Sequence, residues 1–223
     1  MNFLQLCQDV FREGGISGQI SSTQNQTGEA SRVVGWVQKA YREILNDQPD
    51  AWNFTRESAT KQLTAGVGTY SFADLAIVGG VQWDTSTMRY AASSDLSDEA
   101  HLTELDFATF RNTWQFGPSR TQQGTPADVS VNNETSLVIG PIPAAAGWIV
   151  FDYKAMPTLI SDTDTPVIPE RFHNAIVWRA LRHYGLYEAA PEVVARADIA
   201  YKETMLQLTI DQTPEVQIGE PLC

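Results

Sequence analysis

Apolar residues recur at helical spacing at both ends of the chain and at two-residue spacing in the middle. Near the start, Phe3, Cys7, Val10 and Phe11 predict a short helix, with Asn2 placed to cap it and Gly14-Gly15 to end it. Residues 16–28 are polar and turn-rich and read as a loop. Next, Ala30, Val33, Val34, Val37, Ala40, Tyr41, Ile44 and Leu45 form one continuous stripe, with Arg32, Lys39 and Arg42 on the far side. This predicts an amphipathic helix from Gly28 to Gln48, with Thr27 as its cap and Pro49 as its stop.

Between Asp50 and Thr165 the period shortens. Trp52-Asn53-Phe54 opens an extended segment, Gly66-Val67-Gly68 breaks it, and Tyr70-Ser71-Phe72 resumes it. Val81–Trp83 and Met88–Tyr90 read as two sides of a hairpin across Asp84-Thr85-Ser86. Asp106 caps a short helix, Phe107–Trp114, in which Phe107, Phe110 and Trp114 align. Val129–Val131 and Leu137–Ile139 read as strands joined by a turn at Asn132-Asn133. In the last strand, Trp148–Ala155, the residues Ile149, Phe151, Tyr153 and Ala155 share one face.

Helical spacing returns after Pro166-Val167-Ile168-Pro169. Phe172, Ile176, Val177, Ala180, Leu181, Tyr184 and Tyr187 cover one broad side of the third long helix, while Arg171, Ala175, Trp178 and Arg182 run along another. Ala190-Pro191-Glu192 separates it from a fourth. There Val194, Ala197, Tyr201, Thr204 and Leu208 form one stripe, with Ala195, Ile199, Leu206 and Ile210 on the opposite side. A helix apolar on two sides needs two partners, which points to assembly. The last eleven residues, Thr213–Cys223, contain Pro214, Gly219 and Pro221 and read as an extended arm.

These elements predict an α+β fold. About four long helices from the N- and C-terminal regions (1–50 and 166–212) form a helical bundle. Residues 51–165 form an antiparallel β-sandwich or barrel-like domain, and 213–223 form the arm.

Charge changes the picture more than composition does. With 15 Lys plus Arg against 27 Asp plus Glu in 223 residues, the net −12 repels phosphates, so ordinary nucleic-acid binding is not expected. Two cysteines, Cys7 and Cys223, give no disulfide framework, and Cys7 falls on the core side of its helix. No apolar run is long enough to span a bilayer, and the N-terminus has no charged leader, so a protein made in a reducing cytoplasm with no membrane contact is expected.

Candidate chemistry is sparse. His101, His173 and His183 read as surface or interface residues, the last two being too far apart on their helix to share a metal. Gly66-Val67-Gly68 and Gly79-Gly80 lack the downstream glycine and helix start of a phosphate loop. Carboxylate pairs such as Asp98 with Glu99, or Glu104 with Asp106, leave a peptidoglycan hydrolase open. Trp83, Trp114 and Trp148 leave open a carbohydrate-binding or tail-fibre-like module. Neither reading is preferred: no enzyme, cofactor or metal is expected.

The order of motifs resembles the head-to-tail adaptor proteins of tailed bacteriophages, including the tail tubular protein A family of short-tailed phages. It is carried by Trp52-Asn53-Phe54 after the long helix, by Pro169-Glu170-Arg171-Phe172 followed by Ile176-Val177, and by Ala190-Pro191-Glu192-Val193. Phe3-Leu4-Gln5-Leu6, Gln26-Thr27-Gly28-Glu29 and Phe151-Asp152-Tyr153 add to it. The resemblance implies a structural virion protein at the head-tail junction, built as a homo-oligomeric ring of about twelve copies. It implies docking on the phage portal protein and contact with a tail tube or nozzle protein. Double-stranded DNA would pass through the lumen without specific binding. On this reading Arg171, Trp178, Arg182, Ile199, Leu206 and Ile210 meet neighbouring subunits or the portal. Pro214, Val216, Ile218, Pro221 and Leu222 belong to a portal-binding arm.

Overall fold

A computed structural model describes residues 1–48, 52–133 and 136–212 of the chain. It divides into two compact units, one built from Met1–Phe54 and the chain from Thr158 onward, the other from Thr55–Pro157.

The first unit is helical. α1 (Phe3–Gly14) opens with a capping box: the Asn2 side chain accepts from the Gln5 N–H at 2.9 Å, and the Gln5 side chain accepts from the Asn2 N–H at 2.8 Å. The next unpaired donors, the N–H groups of Phe3 and Leu4, reach the carbonyls of Asp164 and Asp162. Gly15 closes the helix at φ 63°, where a side chain would be strained. α2 (Gly28–Asp47) buries Val33, Val37, Ala40, Tyr41, Ile44 and Leu45, as its stripe predicts. Thr27 stands at the cap position, but its side chain makes no capping bond. Glu29 in the first turn supplies the favourable charge there instead.

Trp52-Asn53-Phe54 does not begin a strand. Trp52 is buried and donates its indole N–H to the Ile44 carbonyl at 3.0 Å, one of the acceptors left open at the end of α2. Its ring stacks on Phe54 at 5.4 Å. Asn53 donates to the Gln212 carbonyl at 2.9 Å, and the Phe54 N–H to the Gln212 side chain at 3.2 Å. Gln212 ends α5 (Pro191–Gln212), so the tripeptide closes two helix ends. Between them lies α4 (Asn174–Tyr187), preceded by a 3-10 turn at Glu170–Phe172 and touching α1, α2 and α5. Gly185 lets α5 approach closely, since a Cβ there would lie 2.9 Å from a Val194 methyl.

Among the described residues the second unit holds ten strands and one short α-helix. They are β1 (Arg56–Leu63), β2 (Thr69–Ser71), β3 (Gly80–Ala91), β4 (Ala100–His101), β5 (Thr103–Glu104), α3 (Phe107–Trp114), β6 (Gln123–Gly124), β7 (Asp128–Asn133), β8 (Ser136–Gly140), β9 (Ile142–Pro143) and β10 (Gly147–Ala155). Two four-stranded sheets run in the orders β1-β10-β3-β4 and β2-β8-β7-β5, with a separate pair β6-β9. Both sheets contribute to one apolar cluster: Leu63, Trp83, Ile149 and Phe151 from the first, Tyr70, Val129 and Leu137 from the second. The expectation of purely antiparallel sheets is corrected, because β5 pairs with β7 and β6 with β9 in parallel. Among the described residues the strands do not close into a barrel: each four-stranded sheet keeps two edges.

The predicted hairpin across Asp84-Thr85-Ser86 is also corrected. β3 is one strand, and between the pairs Asp84↔Asp152 and Arg89↔Val150 four of its residues face the single residue Phe151. Ser86 donates to the Asp84 carboxylate at 2.6 Å and Thr87 to the Asp84 carbonyl at 2.9 Å, so these turn-forming residues build a bulge and the strand resumes in the same direction. By contrast, β10 buries Ile149, Phe151, Tyr153 and Ala155, and Asp106 caps α3 by accepting from Thr109 N–H at 3.0 Å, both as predicted.

Trp52→Phe keeps the stacked ring but leaves the Ile44 carbonyl without its indole donor. A loss of about 1–2 kcal/mol is expected in urea unfolding, and an unchanged midpoint would show that this bond contributes nothing. In the β unit the Phe72 ring lies face to face with Trp83 at 3.8 Å, and a Cβ on Gly80 would stand 2.4 Å from that ring. Gly80→Ala should cost about 1–3 kcal/mol. Gly35→Ala, on the exposed side of α2 with open space around it, should gain up to about 1 kcal/mol.

Candidate functional site

The two apolar sides of α5 meet different environments. Ala197, Met205 and Leu208 are buried, and Val194, Tyr201 and Thr204 are half-buried, so this side packs within the helical unit. On the other side Ile199, Leu206 and Ile210 are 62%, 63% and 68% exposed. Spacings of seven and four residues place all three on one side of the helix, with exposed Ala195 a turn before them.

The second stripe of α4 is placed differently. Ala175 is fully buried and Trp178 half-buried. Arg182 pairs with Asp198 of α5 through Nε at 2.9 Å. Arg171 pairs with Asp211 of α5 and lies over the Phe172 ring at 4.9 Å. Of the six residues expected at an interface, the two arginines therefore already hold partners within the chain, and the three aliphatic residues of α5 stand open. Pro214, Val216, Ile218, Pro221 and Leu222 of the expected arm lie outside the described residues.

Most of the side chains considered for glycan chemistry are engaged elsewhere. Trp83 is only 6% exposed and stacks in the core, and the half-buried Trp114 donates its indole N–H to Asp128 at 2.8 Å. Asp98 accepts from Ser93 Oγ at 2.5 Å and from the N–H groups of Ala92 and Ser93; these bonds hold its carboxyl below the usual range. Thr109 does the same for Asp106. Glu104 accepts from Thr85 at 2.6 Å. A proton-donating carboxyl needs the opposite shift. Among the described residues no group of three His, Cys, Asp or Glu side chains is placed to hold a metal ion, and no helix is long and apolar enough to cross a membrane.

Two histidines are not on the surface. His173 is buried, with Nε2 2.8 Å from the Ile168 carbonyl. His183 on α4 has Nε2 3.1 Å from Glu43 on α2, which also accepts from Arg179 Nε at 2.5 Å. Burial raises the Glu43 carboxyl, but Arg179 and His183 outweigh it and hold it below its ordinary value. Burial lowers both imidazoles, for His183 against the pull of Glu43. Sequence spacing gave no sign of this, because the partner of His183 sits 140 positions away.

A histidine lowered by folding stabilises the fold when neutral. That contribution is complete above the ordinary value of 6.5 and is lost as pH falls from there toward the folded-state pKa. Thermal melting should therefore drop between pH 7.5 and 5.5, and His183→Gln should shrink the drop. A melting temperature independent of pH over that window would contradict the placement of both rings.

The surface with open apolar side chains, rather than a cleft with poised titratable groups, is thus the feature that marks this chain. A search among curated proteins finds no match. Residues 1–218 match the family model described as SU10 adaptor protein, a match that includes the β unit as well as both helical ends. With nearly all of its 223 residues covered, the chain belongs to the SU10 adaptor protein family of phage head-to-tail adaptors.

Proposed function

We propose that the protein works by assembly: copies form a ring of about twelve that docks on the portal, leads to the tail tube or nozzle, and lets DNA pass through its lumen. The exposed stripe Ile199, Leu206 and Ile210 carries this reading. A ring needs two complementary sides on each copy, and a helix packed on one side and open on the other supplies one of them. The helical unit, as a bundle, presents this face to a neighbour or the portal, with Trp178, Arg171 and Arg182 at its margin. The β unit, as a sandwich, supplies further surface for neighbouring virion proteins. The net −12 of each chain supports a lumen that does not hold DNA.

The test combines the purified chain with its portal and images the particles. A closed ring is expected for the unmodified chain. Ile199→Asp, Leu206→Asp and Ile210→Asp together should leave monomer stability within about 0.5 kcal/mol per site while abolishing the ring. Unaltered rings would remove this face from the interface, and loss of the monomer fold would make the stripe internal core.

A further inference from the structure

A second feature stands out in the β unit, where α3 and the β8–β9 segment enclose a depression of about 580 Å³. Phe110 and Trp114 line it from α3, and Ile139 and Ile142 from the strands. Arg111 and Arg120 also line it, and among the described residues no Asp or Glu does. Arg120 donates to the Gln115 carbonyl, and the Arg111 guanidinium has no partner among the described residues. A cationic, aromatic-lined depression of ligand-binding size is unexpected in a chain with 27 acidic and 15 basic residues.

The same sequence contains its complement. The last eleven residues, TPEVQIGEPLC, carry Glu215 and Glu220, no Lys or Arg, and the apolar Val216, Ile218, Pro221 and Leu222. Fully extended they reach about 36 Å. We propose that this segment of one copy docks in the depression of the neighbouring copy, its carboxylates against Arg111 and Arg120 and its aliphatic side chains against the half-buried Phe107 and Trp114. The assignment rests on the assembly reading, and it gives the arm a neighbour in the ring rather than the portal. Each copy then offers one arm and one groove, the paired unlike surfaces that a head-to-tail ring requires.

Cysteine trapping tests this. One chain carries Ser119→Cys at the groove together with Cys223→Ser; the other keeps its native Cys223. Cys7 does not compete, because burial pushes its thiol up to about 12. Mild oxidation of the mixture should give a cross-linked dimer. Arg111→Glu with Arg120→Glu in the groove chain should slow its formation about tenfold, and Glu215→Lys with Glu220→Lys in the arm chain should restore it. Melting curves of the arginine variants confirm that both remain folded. Trapping no faster than with Ser97→Cys in place of Ser119→Cys, or a rate indifferent to these charges, overturns the assignment. Particle imaging with the portal reads the ring separately: rings without trapping overturn the arm's docking alone, and trapping without rings overturns the ring while the docking stands.

Discussion

Every helix leaves carbonyls without partners at its C-terminal end, and in this chain three consecutive residues close two such ends. Trp52 donates to Ile44 in α2 and Asn53 to Gln212 in α5. These ends are 168 positions apart in sequence, so the short Trp-Asn-Phe segment fixes where a helix from each end of the chain stops. It also fixes where the helical unit gives way, since β1 begins at Arg56. An aliphatic residue at 52 could fill the same volume but could not satisfy the carbonyl, and a buried acceptor without a donor costs about 1–3 kcal/mol. The demand for a hydrogen bond, more than the demand for bulk, explains why tryptophan stands there.

The open face of α5 sets a limit on how the chain can assemble. Burying three aliphatic side chains contributes about 1.5–3 kcal/mol each. Association of two bodies costs about 4–15 kcal/mol in lost translation and rotation. The stripe alone therefore leaves a pair of copies marginal. Closure changes the balance, because the last copy added to a ring gains contacts on two sides while losing its freedom once. A template that holds copies in place acts in the same sense. In the proposed ring, weak pairwise contact with strong closure would keep copies apart until a template gathers them.

Much of the fold was legible because it rests on local periodicity. The stripe of α2, the Asp106 cap and the alternation in β10 each involve residues a few positions apart, and each appears in the structure. What depends on distant partners was not legible. Asp84-Thr85-Ser86 carries the residues of a hairpin turn, but β10 runs alongside on both sides of it and keeps β3 straight, a fact stored at residues 150–155. The parallel pairing of β5 with β7 has no signature in either two-residue pairing. Arg171 in the turn before α4 and Arg182 on α4 share the hot-spot composition of an interface, and only the packing of α5 brings Asp211 and Asp198 to them. The open stripe Ile199, Leu206 and Ile210 was legible for the opposite reason: its two-sided pattern lies within one helix and needs no partner to be seen.

Many of the positive charges are met by carboxylates within the chain, which bears on the depression in the β unit. Arg12, Arg56, Arg89, Arg171, Arg179 and Arg182 each sit on a carboxylate of the same chain. Such exposed pairs contribute little to stability, but they cancel charge locally. At distances approaching a Debye length of about 8 Å, the surroundings meet chiefly the unpaired acid surplus. Among the described residues Arg111 and Arg120 sit on no carboxylate, so their field reaches into the depression they line. On a chain with a net charge of −12 a carboxylate-bearing segment is repelled by most of the surface, and a depression lined by two arginines is favoured over its surroundings.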